Sequence, residues 1–140
     1  MKKLNLIVIM LMLSFSLFSQ KAEFMYFKAK LSCCQARSCN ALEAEIKKII
    51  ESNFKPEDVV FKTILIDAPE NKELVEKYQA KSQTCILIVN QKKKVLDYNL
   101  TNFVRNYQIA SNEDKKLREQ ELVLEIKKNI VKKKAINSKS

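Results

Sequence analysis

The alternation of apolar and polar positions divides the chain into short strands and longer helices. Glu23–Ala29 (EFMYFKA) sets aromatics between charged ends and predicts a buried first strand. Cys39, Leu42, Ile46, Ile49, Ile50 and Asn53 then share one face of a 3.6-residue period, with Glu43, Glu45, Lys47, Lys48 and Glu51 off it, so a helix is expected with Cys39 facing inward. Lys55, Pro56 and Glu57 break that pattern, and Asp58–Asp67 (DVVFKTILID) is dense enough in β-branched side chains to predict a second strand. Pro69 opens a short helix with Leu74, Val75 and Tyr78 at helical spacing and Asn71 as its expected N-cap. Thr84–Val89 (TCILIV) is nearly continuous in apolar residues, as for a central strand covered on both faces. After a charged turn at Gln91–Lys94, Val95–Tyr98 is expected to return antiparallel at an edge guarded by lysines. A short helical segment from Thr101 to about Gln108 precedes a final helix from about Glu113 to Lys132, amphipathic through Leu117, Leu122, Leu124, Ile126, Ile130 and Val131. This order predicts an α/β domain: strand–helix–strand units pair in parallel, and the tight connection near Gln91 adds an antiparallel pair.

Both ends stand apart from the domain expected at residues 20–132. Met1–Ser19 has a basic start, an apolar run from Leu4 to Phe18 and a small residue before Gln20, the layout of a secretory signal peptide cleaved after Ser19. About 15 apolar-type residues fall short of the roughly 20 that span a bilayer, which disfavours the alternative of an uncleaved anchor. The membrane is therefore expected to matter only through this segment before cleavage, and the mature chain is expected outside the cytoplasm, periplasmic or secreted. Residues 133–140 form an expected basic, frayed tail.

Losing Lys2 and Lys3 lowers the formal net charge from +10 to +8. The lysines are scattered without the aromatic interleaving that stacks bases, so the charge predicts solvated helix faces and no nucleic-acid partner. The chain has no glycine, which rules out Gly-rich phosphate loops, and no histidine, which rules out Ser-His and Cys-His hydrolytic arrangements. No cofactor is expected.

Sulfur is what remains. Three of the four cysteines, Cys33, Cys34 and Cys39, lie in LSCCQARSCNALEAE (31–45) at the entrance to the first long helix. The positive end of the helix dipole and its free N–H groups favour a thiolate at such a position. Two local geometries are open. Ser32 with Gln35 forms a capping box and makes all three cysteines helical, or Ser38 caps the helix and leaves Cys33 and Cys34 in a loop that lets Cys39 reach back to them. In a continuous helix, residues five or six apart are beyond disulfide range.

A first strand ending just before a cysteine-bearing helix, within this element order, resembles the thioredoxin fold over roughly Glu23–Val131, a three-layer sandwich with a mixed sheet of about four strands and helices on both faces. Val59–Asp67 followed by Ala68-Pro69-Glu70-Asn71-Lys72, Val75–Gln79 and Ser82-Gln83-Thr84 is similar to small secreted thioredoxin-like proteins, some described as a nitrophenyl-compound nitroreductase subunit. The chain departs from the Cys-x-x-Cys pattern, because pairing with Cys39 puts the first cysteine at Ala36. The cis-proline that faces the dithiol in this fold would fall at Gln83.

The expected activity is thiol–disulfide exchange, with Cys34 or Cys33 as the exposed thiol, Cys39 as its buried partner and another protein as the thiol or disulfide counterpart. One alternative is a binding module stapled by a structural disulfide. Another is a soft-metal site for Cu(I) or Zn(II) on Cys33, Cys34 and Cys39. Cys85 is expected as a small buried apolar side chain, Asp67 as a solvated strand end, and Phe24, Tyr26 and Phe27 as core.

Overall fold

A computed structural model describes residues 21–30, 34–91 and 94–136, except for the side chains of residues 34–36 and 132–136. The expected signal segment and its cleavage point lie outside the described residues. Within them are four strands, β1 (Ala22–Lys28), β2 (Val59–Leu65), β3 (Cys85–Asn90) and β4 (Val95–Asn99). Four α-helices accompany them: α1 (Cys34–Asn53), α2 (Lys72–Tyr78), α3 (Thr101–Ile109) and α4 (Lys115–Ile136). The sheet order is β2-β1-β3-β4, with β1 parallel to β2 and antiparallel to β3, and β3 antiparallel to β4.

β1 is central because it is apolar on both faces. Ala22, Phe24 and Tyr26 join Leu42, Ile46, Ile49 and Ile50 of α1, Val104 and Tyr107 of α3 and Leu122, Val123 and Ile126 of α4 in the larger core. Met25 and Phe27 turn the other way, against Ile86 and the α2 residues Leu74, Val75 and Tyr78. TCILIV behaves alike, with Cys85, Leu87 and Val89 in the first core and Ile86 in the second. β4 is the expected edge strand: Val95 is exposed and Lys94 precedes it.

Three local expectations are corrected. Asn71 stands at the N-cap position of α2 but makes no side-chain cap bond; its Nδ2 donates to the Leu65 carbonyl at 2.9 Å and ties down the end of β2. On α4, Leu117, Leu124 and Val131 are exposed, while Leu122, Val123, Ile126 and Asn129 are buried. Positions 117, 124 and 131 repeat every seven residues and form a stripe of their own, beside the one that packs. Asn129 sits in the packed stripe because its Nδ2 is satisfied within the helix, by the Glu125 carbonyl at 3.0 Å. Finally, the α4 backbone stays helical to Ile136, past the expected start of the tail at residue 133.

A chain without glycine must turn left-handed on other residues. Gln79, the C-cap of α2, has φ 47° and ψ 43°, and Gln83 has φ 70°. A Cβ makes this region costly, and glycine enters it freely. Gln79→Gly is therefore expected to raise the free energy of unfolding by about 0.5–1 kcal/mol, read from the urea midpoint at unchanged slope.

Candidate functional site

The register brings four chain segments to one edge of the sheet. There β1 ends at Lys28, β2 ends at Leu65, β3 begins at Cys85 and β4 ends at Asn99. Main-chain bonds join them. The Lys28 carbonyl accepts from Ile66 N at 3.0 Å, the Phe27 carbonyl from Gln83 N at 2.8 Å, and the Cys85 carbonyl from Leu100 N at 2.9 Å. Thr101 Oγ1 accepts from Cys85 N at 3.0 Å. Asp67 is an exposed strand-end residue that positions its neighbour: its Oδ2 accepts from Lys30 N at 2.7 Å and so fixes where the chain leaves β1 toward the cysteine segment.

α1 starts from this edge. It is helical from Cys34, which places Ser38 inside the helix and removes the geometry in which Ser38 is the N-cap. Five helical residues separate Cα atoms by about 8.7 Å, above the roughly 6.8 Å upper limit for a disulfide, so Cys34 and Cys39 are not bridged in this conformation. Cys33 and the side chain of Cys34 lie outside the described residues, and so do two of the three thiols of the metal alternative.

Cys39, in the second turn of α1, is the described thiol of this segment. It is 9% exposed and faces inward, as the periodicity predicts. Gln83 lies over it, its Nε2 donating to Cys39 Sγ at 3.5 Å. The loop at 81–84 holds Gln83 there: Thr84 N donates to the Lys81 carbonyl at 3.0 Å, Lys81 N to Thr84 Oγ1 at 2.9 Å, and Phe27 N to the Thr84 carbonyl at 2.8 Å. The left-handed backbone of Gln83 is thus over-determined by bonds on both sides, the usual setting for strain at a functional position.

Two buried groups share this end of the core. Cys85, fully buried, donates its thiol to the Gln83 carbonyl at 3.6 Å, and burial pushes its ionisation far up, so it stays a protonated, inert thiol. Tyr26, the cross-strand neighbour of Cys85, is fully buried, and its hydroxyl has no hydrogen-bond partner among the described residues. Its ionisation is raised first by burial, then by the electrostatic influence of Cys85, Cys39 and Glu43.

Glu43 and Glu45 lie off the apolar face by period, yet the structure draws both into cross-element contacts. Glu45 accepts from Tyr107 Oη at 2.9 Å and Lys115 Nζ at 3.0 Å, which ties α1 to α3 and α4; burial and this bond push the Tyr107 phenol up to about 12. Burial raises Glu43's pKa, but hydrogen bonds from Lys28 Nζ at 2.7 Å and Thr63 Oγ1 at 2.5 Å outweigh it and hold the carboxyl below the usual glutamate range. A carboxyl depressed in the folded state adds stability above its unfolded value of about 4.3 and loses it as pH falls through the lower folded value. Urea midpoints measured across pH are thus expected to fall below about pH 4.3, and Glu43→Gln to flatten that fall, costing stability at pH 7 and little at pH 2.

The β-α-β unit on one side of β1, the antiparallel β3–β4 pair on the other, and a loop set over an inward-facing cysteine of α1 define a thioredoxin-like fold. The chain is similar to a thioredoxin from Thermus thermophilus known from its solution structure, with TM-score 0.53 and 15% identity over 84% of this chain and 79% of the other. A malarial protein of solved structure aligns with TM-score 0.37 and 21% identity over 57% of this chain and 81% of that one. No protein-family model and no curated protein sequence matches the chain.

Proposed function

We propose that this is an exported thiol–disulfide exchange protein that works on another protein, with its sulfur centre at Cys33, Cys34 and Cys39. The observation that carries the reading is the contact of Gln83 with Cys39 Sγ, which seats the loop before β3 on an inward-facing thiol of α1. In the exchange, a thiolate on Cys34 or Cys33 attacks one sulfur of a partner disulfide, and the partner's other sulfur leaves as thiolate. Cys39, deprotonated, then attacks the mixed disulfide, and the partner's second sulfur departs. The chain ends with one internal disulfide and the partner with two thiols, two electrons having passed between them.

The second step needs the first turn of α1 to open by about 2 Å between Cα atoms, the excess of the helical spacing over disulfide reach. That turn carries no acidic residue, and Arg37 stands at the positive end of the dipole, so the turn is poorly held and its one cation favours a nearby thiolate. Export rests on the pattern of Met1–Ser19, and the oxidising compartments beyond the cytoplasmic membrane suit a reversible disulfide. Among the described residues no helix is long and apolar enough to cross a membrane.

Thiol alkylation of the mature protein across pH tests this reading. One thiol is expected to ionise below the free value of about 8.5; if none does, the attacking step has no nucleophile and the reading fails.

A further inference from the structure

Beside Gln83, on the side facing α3, a cleft of about 170 Å³ is lined by Lys81, Ser82, Gln83, Thr101, Arg105 and Gln108 among others. Three features bear on what it could hold. Its lining holds two cations and no acid, whereas a cleft beside α4 includes Glu119 and one beside β2 includes Glu51. Neither Lys81 nor Arg105 has a carboxylate within salt-bridge distance among the described residues, so both charges are open to an anion. Ser82 Oγ is screened from solvent and has no hydrogen-bond partner among the described residues, a cost the fold bears unless something else meets that hydroxyl.

Size and position narrow the ligand. Sites for drug-sized molecules run to roughly 300–1,000 Å³, so this cleft holds a single residue-sized group. Gln83 belongs to both places, lining the cleft and touching Cys39 Sγ at 3.5 Å. A mixed disulfide on Cys34 or Cys33 within reach of Cys39 would therefore set the partner's sulfur-bearing residue beside Gln83, at the mouth of the cleft. Two cations, the unpartnered Ser82 hydroxyl and the amides of Gln83 and Gln108 are donors suited to a carboxylate.

We propose that this cleft binds the carboxylate of the residue carrying, or adjoining, the sulfur with which the cysteine centre exchanges, so that the preferred sulfur substrates are anionic. The proposal deepens the thiol–disulfide reading and rests on it for the identity of the substrate.

Two readouts on the full mature chain test it and keep it separable from that reading. In the first, N-acetyl-S-methylcysteine and its primary amide are titrated while backbone amide NMR shifts are followed. The carboxylate is expected to shift Ser82, Thr84, Thr101 and Arg105 saturably, with the amide at least tenfold weaker. Lys81→Gln with Arg105→Gln abolishes the effect, while Lys48→Gln with Lys116→Gln, which removes equal charge from α1 and α4, retains it. No saturable shifts, equal binding of the amide, or equal loss in the charge-matched variant overturns the proposal.

In the second readout, thiol reaction with anionic dithiobis-nitrobenzoate and neutral dithiodipyridine is timed. The anionic-to-neutral rate ratio is expected to fall about tenfold in the Lys81/Arg105 variant and not in its charge-matched control; an unchanged ratio counts against the cleft. Absence of reaction with both disulfides refutes the exchange function, and the NMR titration then decides the cleft alone.

Discussion

Phe24→Ala is expected to lower the free energy of unfolding by about 3–5 kcal/mol, roughly a fifth or more of the 5–15 kcal/mol typical of a domain this size. Phe24 is fully buried at the middle of β1. Its register partners are Phe61 on β2 and Leu87 on β3, and its ring stacks on that of Phe61 at 5.9 Å between centroids and 14° between planes. Neighbours on both sides are held by paired strands, so the cavity cannot collapse and the cavity cost adds to the lost transfer energy. Leu124→Ala serves as the control. Leu124 is 64% exposed on α4, and its truncation is expected to change stability by less than about 0.5 kcal/mol. Equal costs for the two in urea denaturation would contradict the core described above.

The largest functional effect is expected at Cys39. With Cys39→Ser the first attack proceeds and the second does not, so a mixed disulfide with the partner accumulates. An intramolecular thiol acts at about millimolar effective concentration, so with protein at about 10 µM its loss slows release of the partner about 100-fold. Non-reducing electrophoresis with mass analysis reads the trapped species. Cys39→Ala provides a second variant, because a buried serine hydroxyl at this site brings its own demand for a partner. Unchanged partner release in both variants removes Cys39 from the exchange.

Much of this fold is legible in the sequence because its central pieces are apolar for a single reason. EFMYFKA and TCILIV become β1 and β3, each covered on two faces, and short β-rich apolar runs bounded by polar turns suit such a place. The inward face of α1 follows from its period, and Cys39 with it. Gln83 is located by resemblance, as the residue at the place where this fold brings a loop to its cysteines. What sequence spacing cannot supply are contacts made across the chain. Glu43 meets Lys28 and Thr63, 15 and 20 residues away, and Glu45 meets Tyr107 and Lys115, 62 and 70 residues away. On α4 the pattern holds two apolar stripes, and only packing against α1, α3 and β3 chooses Leu122 and Ile126 over Leu117 and Leu124. The cationic cleft is invisible in one dimension, since Lys81 and Arg105 come from separate segments joined only by the register of β3 and the start of α3.

Disulfide mapping of the mature protein, equilibrated with reduced and oxidised glutathione over a range of ratios, tests the sulfur centre most directly. The expected result is a bridge from Cys39 to Cys34 or Cys33 that forms and breaks within the glutathione range, with Cys85 a free thiol throughout. A Cys39 that stays unpaired at every ratio, or is locked in a bridge that glutathione never opens, would contradict it.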